Sequence, residues 1–261
     1  MDNTTKSSNQ SVNKLLQLLG TLSEARMAMR LQDIAKDSGM PQATALRYLN
    51  ALIEEGYAYQ DEETGRYALT WKMCGFGDQI KSHTTLRTIS GTLLSRLSVE
   101  LGLGICQVIE NDRECFYLDC IYEPSTVGHP LQRIGKQTPI HAASSGKILL
   151  TEYSDTDLDT LIEEKGLVKL TDRTISNKED LVKELALTKE RDYGLDDEEC
   201  EEGLRCVAVP LRDYTGKAVA AISAFGDLDQ MTEENIQQNI LPALRNVAAE
   251  ISMRMGSRGV I

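Results

Sequence analysis

From Leu31 onward the apolar positions recur at helical spacing, break, recur again and then alternate. Leu31, Ile34 and Ala35 fall at i, i+3, i+4 and predict a short helix ended by Gly39, where a left-handed residue caps the C-terminus. Pro41 opens a second helix whose apolar stripe is Ala45, Leu46, Leu49, Leu52 and Ile53, closing at Glu55-Gly56. Residues 57–60 and 66–69 then flank Asp61-Glu62-Glu63-Thr64-Gly65, a hairpin pattern whose glycine supplies the positive φ. Two helices around a tight turn, followed by a hairpin wing, are the layout of a DNA-reading module.

A helix pair with a glycine turn is also a common packing unit, and the polar face of the second helix separates the two readings. Gln42, Thr44, Arg47, Tyr48 and Asn50 supply amide, hydroxyl, guanidinium and phenol groups without one acid. Such groups bond base edges and phosphates in a major groove, whereas a merely solvated face mixes Glu with Lys. The expected DNA contacts are Gln42, Ala43, Thr44, Arg47 and Tyr48, with Arg66 following the wing turn.

Downstream, Leu86, Ile89, Leu93, Leu97 and Leu101 predict a helix over residues 84–101 that continues a connector beginning near Trp71. Strands are expected over 104–110 and 115–122, joined by Asn111-Asp112-Arg113, with a third near 128–134. Helices follow at 144–153, 156–165 and 178–193. Strands return at 204–211 and 218–225 around Asp213-Tyr214-Thr215-Gly216, a good hairpin turn. A last amphipathic helix carries Ile236, Ile240, Leu244, Val247 and Ile251. Strands arriving as hairpins with helices between the pairs predict an α+β domain, an antiparallel sheet flanked by helices.

Charge narrows the picture. The 261-residue chain carries net charge −12, which argues against broad nonspecific affinity for nucleic acid. Residues 1–73 account for only −1 of it and the remainder for −11. Specific DNA binding must therefore come from a local surface and from dimerisation. There is no long uninterrupted apolar run and no signal peptide, so no membrane association is expected and the location read from the sequence is cytoplasmic. The polar start, residues 1–10, reads as a disordered tail. Cysteines 74, 106, 115, 120, 200 and 206 lack a CxxC spacing and read as reduced, mostly buried thiols. With three histidines and none beside a cysteine pair, neither a metal nor any other cofactor is expected.

The order of these elements and several local strings resemble the IclR family of bacterial transcriptional regulators. The matching strings are Leu31-Gln32-Asp33-Ile34-Ala35, Gly39-Met40-Pro41-Gln42-Ala43-Thr44, Leu52-Ile53-Glu54-Glu55-Gly56-Tyr57 and Gly65-Arg66-Tyr67-Ala68-Leu69. Further along come Pro139-Ile140-His141-Ala142-Ala143-Ser144-Ser145-Gly146-Lys147, Tyr193-Gly194-Leu195-Asp196-Asp197-Glu198-Glu199 and Gly203-Leu204-Arg205-Cys206-Val207-Ala208-Val209-Pro210. The resemblance implies a winged helix-turn-helix over 11–73, a linker helix over 74–100 and a GAF-like effector-binding domain over 80–261. It also implies a homodimer or dimer of dimers on an inverted-repeat operator in double-stranded DNA, modulated by a small carboxylate effector.

The resemblance places effector contacts at Ser144, Ser145, Asp196, Cys206 and Ser223. The residues themselves suit that role: Ser144 and Ser145 precede Ile148-Leu149-Leu150 at a helix start, and Cys206 and Ser223 lie on paired strands. Two departures stand out. Many relatives carry Gly-Ala where this chain has Ser144-Ser145, and some carry serine where it has Phe225, which removes a hydroxyl and shapes the pocket. Other readings stay open: Ser144 as a simple N-cap, Cys206 as core, Cys206 with His141 as nucleophile and base, or Cys200 with Cys206 as a redox pair in a chain whose helix-turn-helix serves protein contacts. No activating pattern surrounds Cys206, so an enzyme is not expected.

Overall fold

A computed structural model describes residues 10–25, 27–76, 85–121 and 134–257. Residues 1–9 of the tail expected over 1–10, the middle of the expected connector (77–84) and all but the last residue of the strand expected near 128–134 lie outside the described residues, and Gln10 begins a helix. The chain divides into two compact units, Met1–Thr84 and Thr85–Ile261.

The first unit contains α1 (Gln10–Glu24), α2 (Leu31–Asp37), α3 (Gln42–Glu54) and the hairpin β1 (Ala58–Gln60) and β2 (Tyr67–Leu69). Each helix turns one apolar stripe inward. Leu18, Leu22, Ile34, Ala35, Ala45, Leu49 and Leu52 are buried together with Ala58 and Tyr67. Gly39, at φ +64°, makes the turn between α2 and α3, where a side chain would be strained. β1 and β2 pair antiparallel, and Met29 adds a bridge to Tyr67. Trp71–Met73 form a 3-10 turn at the start of the expected connector.

The second unit is built on a six-stranded antiparallel sheet in the order β5-β4-β3-β8-β7-β6. Its strands are β3 (Gly104–Asn111), β4 (Glu114–Ile121), β5 (Gln137–Pro139), β6 (Gly194–Asp197), β7 (Leu204–Arg212) and β8 (Ala218–Asp227). One face carries Ile105, Val207, Val209, Leu211, Ile222 and Ala224, which pack against α4 (Leu86–Leu101) and α8 (Leu241–Arg254). A π-helical stretch, Ile236–Ile240, leads into α8 and buries Ile236 and Ile240 in the same core. The other face is covered by α5 (Ser144–Leu150), beside α6 (Asp155–Lys165) and α7 (Lys178–Arg191). Successive strand residues point to opposite faces, so a strand buried on both sides reads as a nearly continuous apolar run; Leu204–Arg212 is one.

The helix starts follow from their caps. Thr85 accepts from Thr88 N at 3.2 Å, Asn177 from Asp180 N at 2.9 Å, and Ser154 forms a reciprocal capping box with Asp157. α4 ends at Gly102 in the left-handed conformation. The architecture is the expected α+β fold with an N-terminal helix-turn-helix unit. Both edge strands differ from the sequence reading: β5 lies beyond the range expected for a third strand, and β6 follows a helix that stops at Arg191, with Asp192 left-handed, where the reading carried it to residue 193.

Candidate functional site

In the first unit, α3 buries Ala45, Leu49 and Leu52 and leaves Gln42, Ala43 and Arg47 exposed, with Thr44 and Tyr48 half-buried. The Arg47 guanidinium lies 5.3 Å from the centre of the Tyr48 ring, within cation–π range, so the two side chains share one surface. Pro41 is the N-cap residue with extended backbone, which leaves the first N–H groups of α3 without a side-chain cap. Arg66 is placed differently from the other five. Its Nη1 donates to the Ala28 carbonyl at 3.2 Å and ties the wing to the stretch before α2. The wing turn is closed by Asp61, whose Oδ1 accepts from Thr64 N at 2.8 Å and Thr64 Oγ1 at 2.6 Å.

In the second unit the strand register builds a cavity. Across the face under α5, Asp196 on β6 stands opposite Cys206 on β7, Cys206 opposite Phe225 on β8, and Phe225 opposite Gly104 on β3. The neighbouring row runs Gly194, Ala208, Ser223, Cys106 and Cys120. α5 closes over these rows, and Ser144, Ser145, Asp196, Cys206, Ser223 and Phe225 all line one cavity with Cys106, Tyr117 and Ala143. Its free volume is about 10 Å³, close to that of a single water probe. A larger open depression of about 650 Å³ lies elsewhere, but Glu110, Asp112, Glu152 and Asp157 dominate its rim and Arg113 there is occupied by Glu164.

Glycine is required where this cavity is tightest. A Cβ on Gly104 would stand 2.1 Å from Phe225 Cζ, and one on Gly194 would stand 2.1 Å from the Ser144 carbonyl oxygen. The first lets the Phe225 ring cross to β3; the second lets α5 sit against the sheet.

The polar groups are closely held. Asp196 Oδ1 accepts from Glu199 N at 2.8 Å and Cys200 N at 3.2 Å, and burial raises its carboxyl above the ordinary range. Beneath it the Lys147 ammonium, 1% exposed, donates to Glu199 Oε1 and to the Leu195 carbonyl at 2.7 Å. Burial pushes the Cys115 thiol up to about 12, although its hydrogen bond with Ser145 works the other way.

A family model for the C-terminal part of the bacterial transcriptional regulator IclR matches residues 79–253, and one for the IclR helix-turn-helix domain matches residues 11–62. The chain belongs to the IclR family. It is 30% identical to the HTH-type transcriptional regulator XynR of Escherichia coli, over 95% of this chain and 97% of that protein. The crystal structure of the Thermotoga maritima IclR superposes with TM-score 0.62 at 26% identity, covering 95% of this chain and 99% of that one. The inducer-binding domain of a double mutant of the PobR transcription factor from Acinetobacter, solved with 3-hydroxybenzoic acid, gives 0.60 at 27%, covering 65% of this chain and 98% of that one.

Several of the alternative roles do not match the structure. The residue in the N-cap position of α5 is Ala143, so Ser144 is not a cap but the first residue of the helix. His141 is buried and bonded through Nε2 to the Val168 carbonyl at 3.1 Å; burial lowers its pKa, and it does not line the cavity with Cys206. Cys200 and Cys206 remain thiols, and burial raises Cys200 away from its reactive thiolate form. The expectation of reduced thiols fails for one pair. Cys106 and Cys120 face each other across β3 and β4 and are joined by a disulfide, because the register brings residues 14 apart in sequence side by side.

Sequence reasoning missed Cys106, Tyr117 and Ala143 as lining residues and Lys147 as a buried cation. Cys106 was within reach of a register argument, since it sits two residues beyond Gly104 on the same face. Lys147 was visible only as part of the string Ser145-Gly146-Lys147, where a lysine ordinarily reads as solvated.

Proposed function

We propose that this IclR-family regulator binds an inverted-repeat operator in double-stranded DNA as a homodimer or dimer of dimers, and that a small organic acid, entering as the cavity under α5 widens beyond its present volume of about 10 Å³, changes its operator affinity. The observation that carries the reading is the convergence of Ser144, Ser145, Asp196, Cys206 and Ser223, from one helix and three strands, on one buried cavity. Hydroxyls and a thiol there can donate to a carboxylate, and Phe225 adds a ring face where a hydroxyl would favour a smaller, more polar ligand. PobR's complex with 3-hydroxybenzoic acid supports an aromatic acid as one member of the ligand class.

The test is calorimetry of the full chain with acetate, pyruvate, benzoate and 3-hydroxybenzoate, alongside operator gel shifts with each. One of these acids is expected to bind and to shift operator affinity by about 5- to 150-fold, the range of common allosteric couplings. Ser145→Leu, which fills the cavity, should abolish both effects. A carboxylate whose affinity ignores Ser145→Leu would place the site elsewhere.

On the DNA side, the acid-free face of α3 supports readout by Gln42, Ala43, Thr44, Arg47 and Tyr48. Arg66, engaged with Ala28, contributes by fixing the wing and by what remains of its guanidinium. Arg47→Ala should cost roughly 1–3 kcal/mol of operator binding if the guanidinium pairs with a guanine. Fluorescence anisotropy at several salt concentrations measures it, and wild-type affinity throughout would remove Arg47 from the interface.

A further inference from the structure

The cavity's charges do not balance in pairs, and this has a consequence for any anion that enters. Lys147 is surrounded by Glu199 Oε1, the Leu195 carbonyl at 2.7 Å and Glu184 Oε1 at 3.7 Å. Glu184 has a second partner in Arg191 at 2.6 Å, so the buried ammonium serves chiefly Glu199. Asp196, 2% exposed, lines the cavity, and among the described residues no salt bridge reaches it.

Apart from Lys147, the titratable groups around Asp196 among the described residues bring no positive charge. On its own turn these are Glu199 and Cys200; from β7 comes Cys206, and from β4 Cys115 and Tyr117. Each becomes negative if it ionises. Arg173 and Arg205 turn to Asp197 and Glu198 instead. Lys147 alone offsets part of the Asp196 charge, and it is already paired. Two carboxylates therefore share one cation in a site nearly closed to water, and an incoming carboxylate would be a third.

Resting on the reading of this cavity as an anion site, the geometry points to Asp196 as a proton-linked ligand group: an effector carboxylate enters with one proton, which Asp196 takes up so that its acid donates a hydrogen bond to the anion. In balance, the ionised Asp196 side chain, one proton from solvent and the effector anion give a neutral acid paired with a carboxylate. No charge is added to the cavity. Like charges forced within a few ångströms raise one another's proton affinity, which is why a pair sharing one proton is the stable arrangement. Burial raises the Asp196 carboxyl and eases the uptake, outweighing the Cys200 and Glu199 hydrogen bonds, which favour the ionised form and fix the carboxyl in place. The ligand class that follows is a monoanionic acid; a second ionised carboxyl has no further proton or cation to meet.

The experiment is calorimetry of the full chain with acetate, pyruvate, benzoate and 3-hydroxybenzoate in buffers of different ionisation enthalpy. For the acid that binds, the dependence of heat on buffer should report uptake of about one proton near neutral pH, with affinity falling about tenfold per pH unit above it. Asp196→Asn, whose amide donates without titrating, should show neither uptake nor pH dependence. Infrared difference spectra of the wild-type complex need no variant. A protonated-carboxyl band should appear on binding and should move when the aspartate side-chain carboxyl carbons are isotopically labelled. Binding without proton uptake, or a new band that ignores aspartate labelling, overturns the inference while leaving the anion site intact. Failure of all four acids to bind overturns the anion reading beneath it.

Discussion

Lys147→Met destabilises the second unit by about 3–5 kcal/mol, the usual cost of removing one partner from a buried ion pair. Lys147 is 1% exposed and holds Glu199 and the Leu195 carbonyl, so the variant leaves a buried carboxylate without its cation. Among the described residues Glu199 Oε2 is buried without a hydrogen-bond partner by distance and angle, so Lys147 is the main anchor of the side chain. Changing Glu199 to Gln as well should recover much of the loss, since removing both charges avoids the stranded one. Burial already raises the Glu199 carboxyl in the wild-type chain, with Lys147 opposing it, so the single variant strengthens a pH dependence of definite sign. Without Lys147, Glu199 binds a proton still more tightly folded than unfolded, so its contribution to stability is fullest at low pH and is lost as pH rises through the raised value. Chemical unfolding followed by circular dichroism at several pH values measures all three. A variant as stable as wild type, or one that weakens on acidification, would contradict the role assigned to Lys147.

Gly104→Ala destabilises the chain by about 1–3 kcal/mol, in the range of overpacked cores. The added methyl would stand 2.1 Å from the tip of the half-buried Phe225 ring, which packs against the cavity's buried cluster. Phe225→Ser alone opens the cavity and costs packing, but in the double variant it removes the clash. The two changes should therefore couple with about 0.5–3 kcal/mol of favourable interaction, as residues in direct contact do. Thermal unfolding of the four proteins in the cycle measures it, and additive single effects would show that the ring moves aside at no cost.

Much of this architecture is legible in the chain. The glycine at position 39, the stripe ending at Ile53 and the wing glycine at position 65 are local signals, and local signals set the helix-turn-helix. The nearly continuous apolar runs of Leu204–Arg212 and Ala218–Asp227, with a turn between them, likewise mark two strands. What escapes is set by partners distant in sequence. β6 is four residues long with two acids and has little strand character of its own; it exists because Gly194 and Asp196 pair with Ala208 and Cys206. The disulfide depends on the β3–β4 register, not on a spacing motif. Lys147 is buried only because Glu199 and Leu195 meet it, and such compensation is invisible until both ends are placed. Arg66 shows the converse: a cation well situated for phosphate by its place in the wing is claimed by the Ala28 carbonyl.

The row Asp196, Cys206, Phe225 and Gly104 draws one residue from each of four adjacent strands. A sheet of this kind works like a short word written across lines of text. Each letter can be replaced without respelling the line that carries it, because the strand's opposite-facing residues hold it to the helices behind. Two of the letters are not independent, however: a bulky residue at position 225 demands the smallest at 104. Chemical preference in such a cavity is therefore adjustable one position at a time at Asp196 and Cys206, and only in matched steps at the Phe225 end.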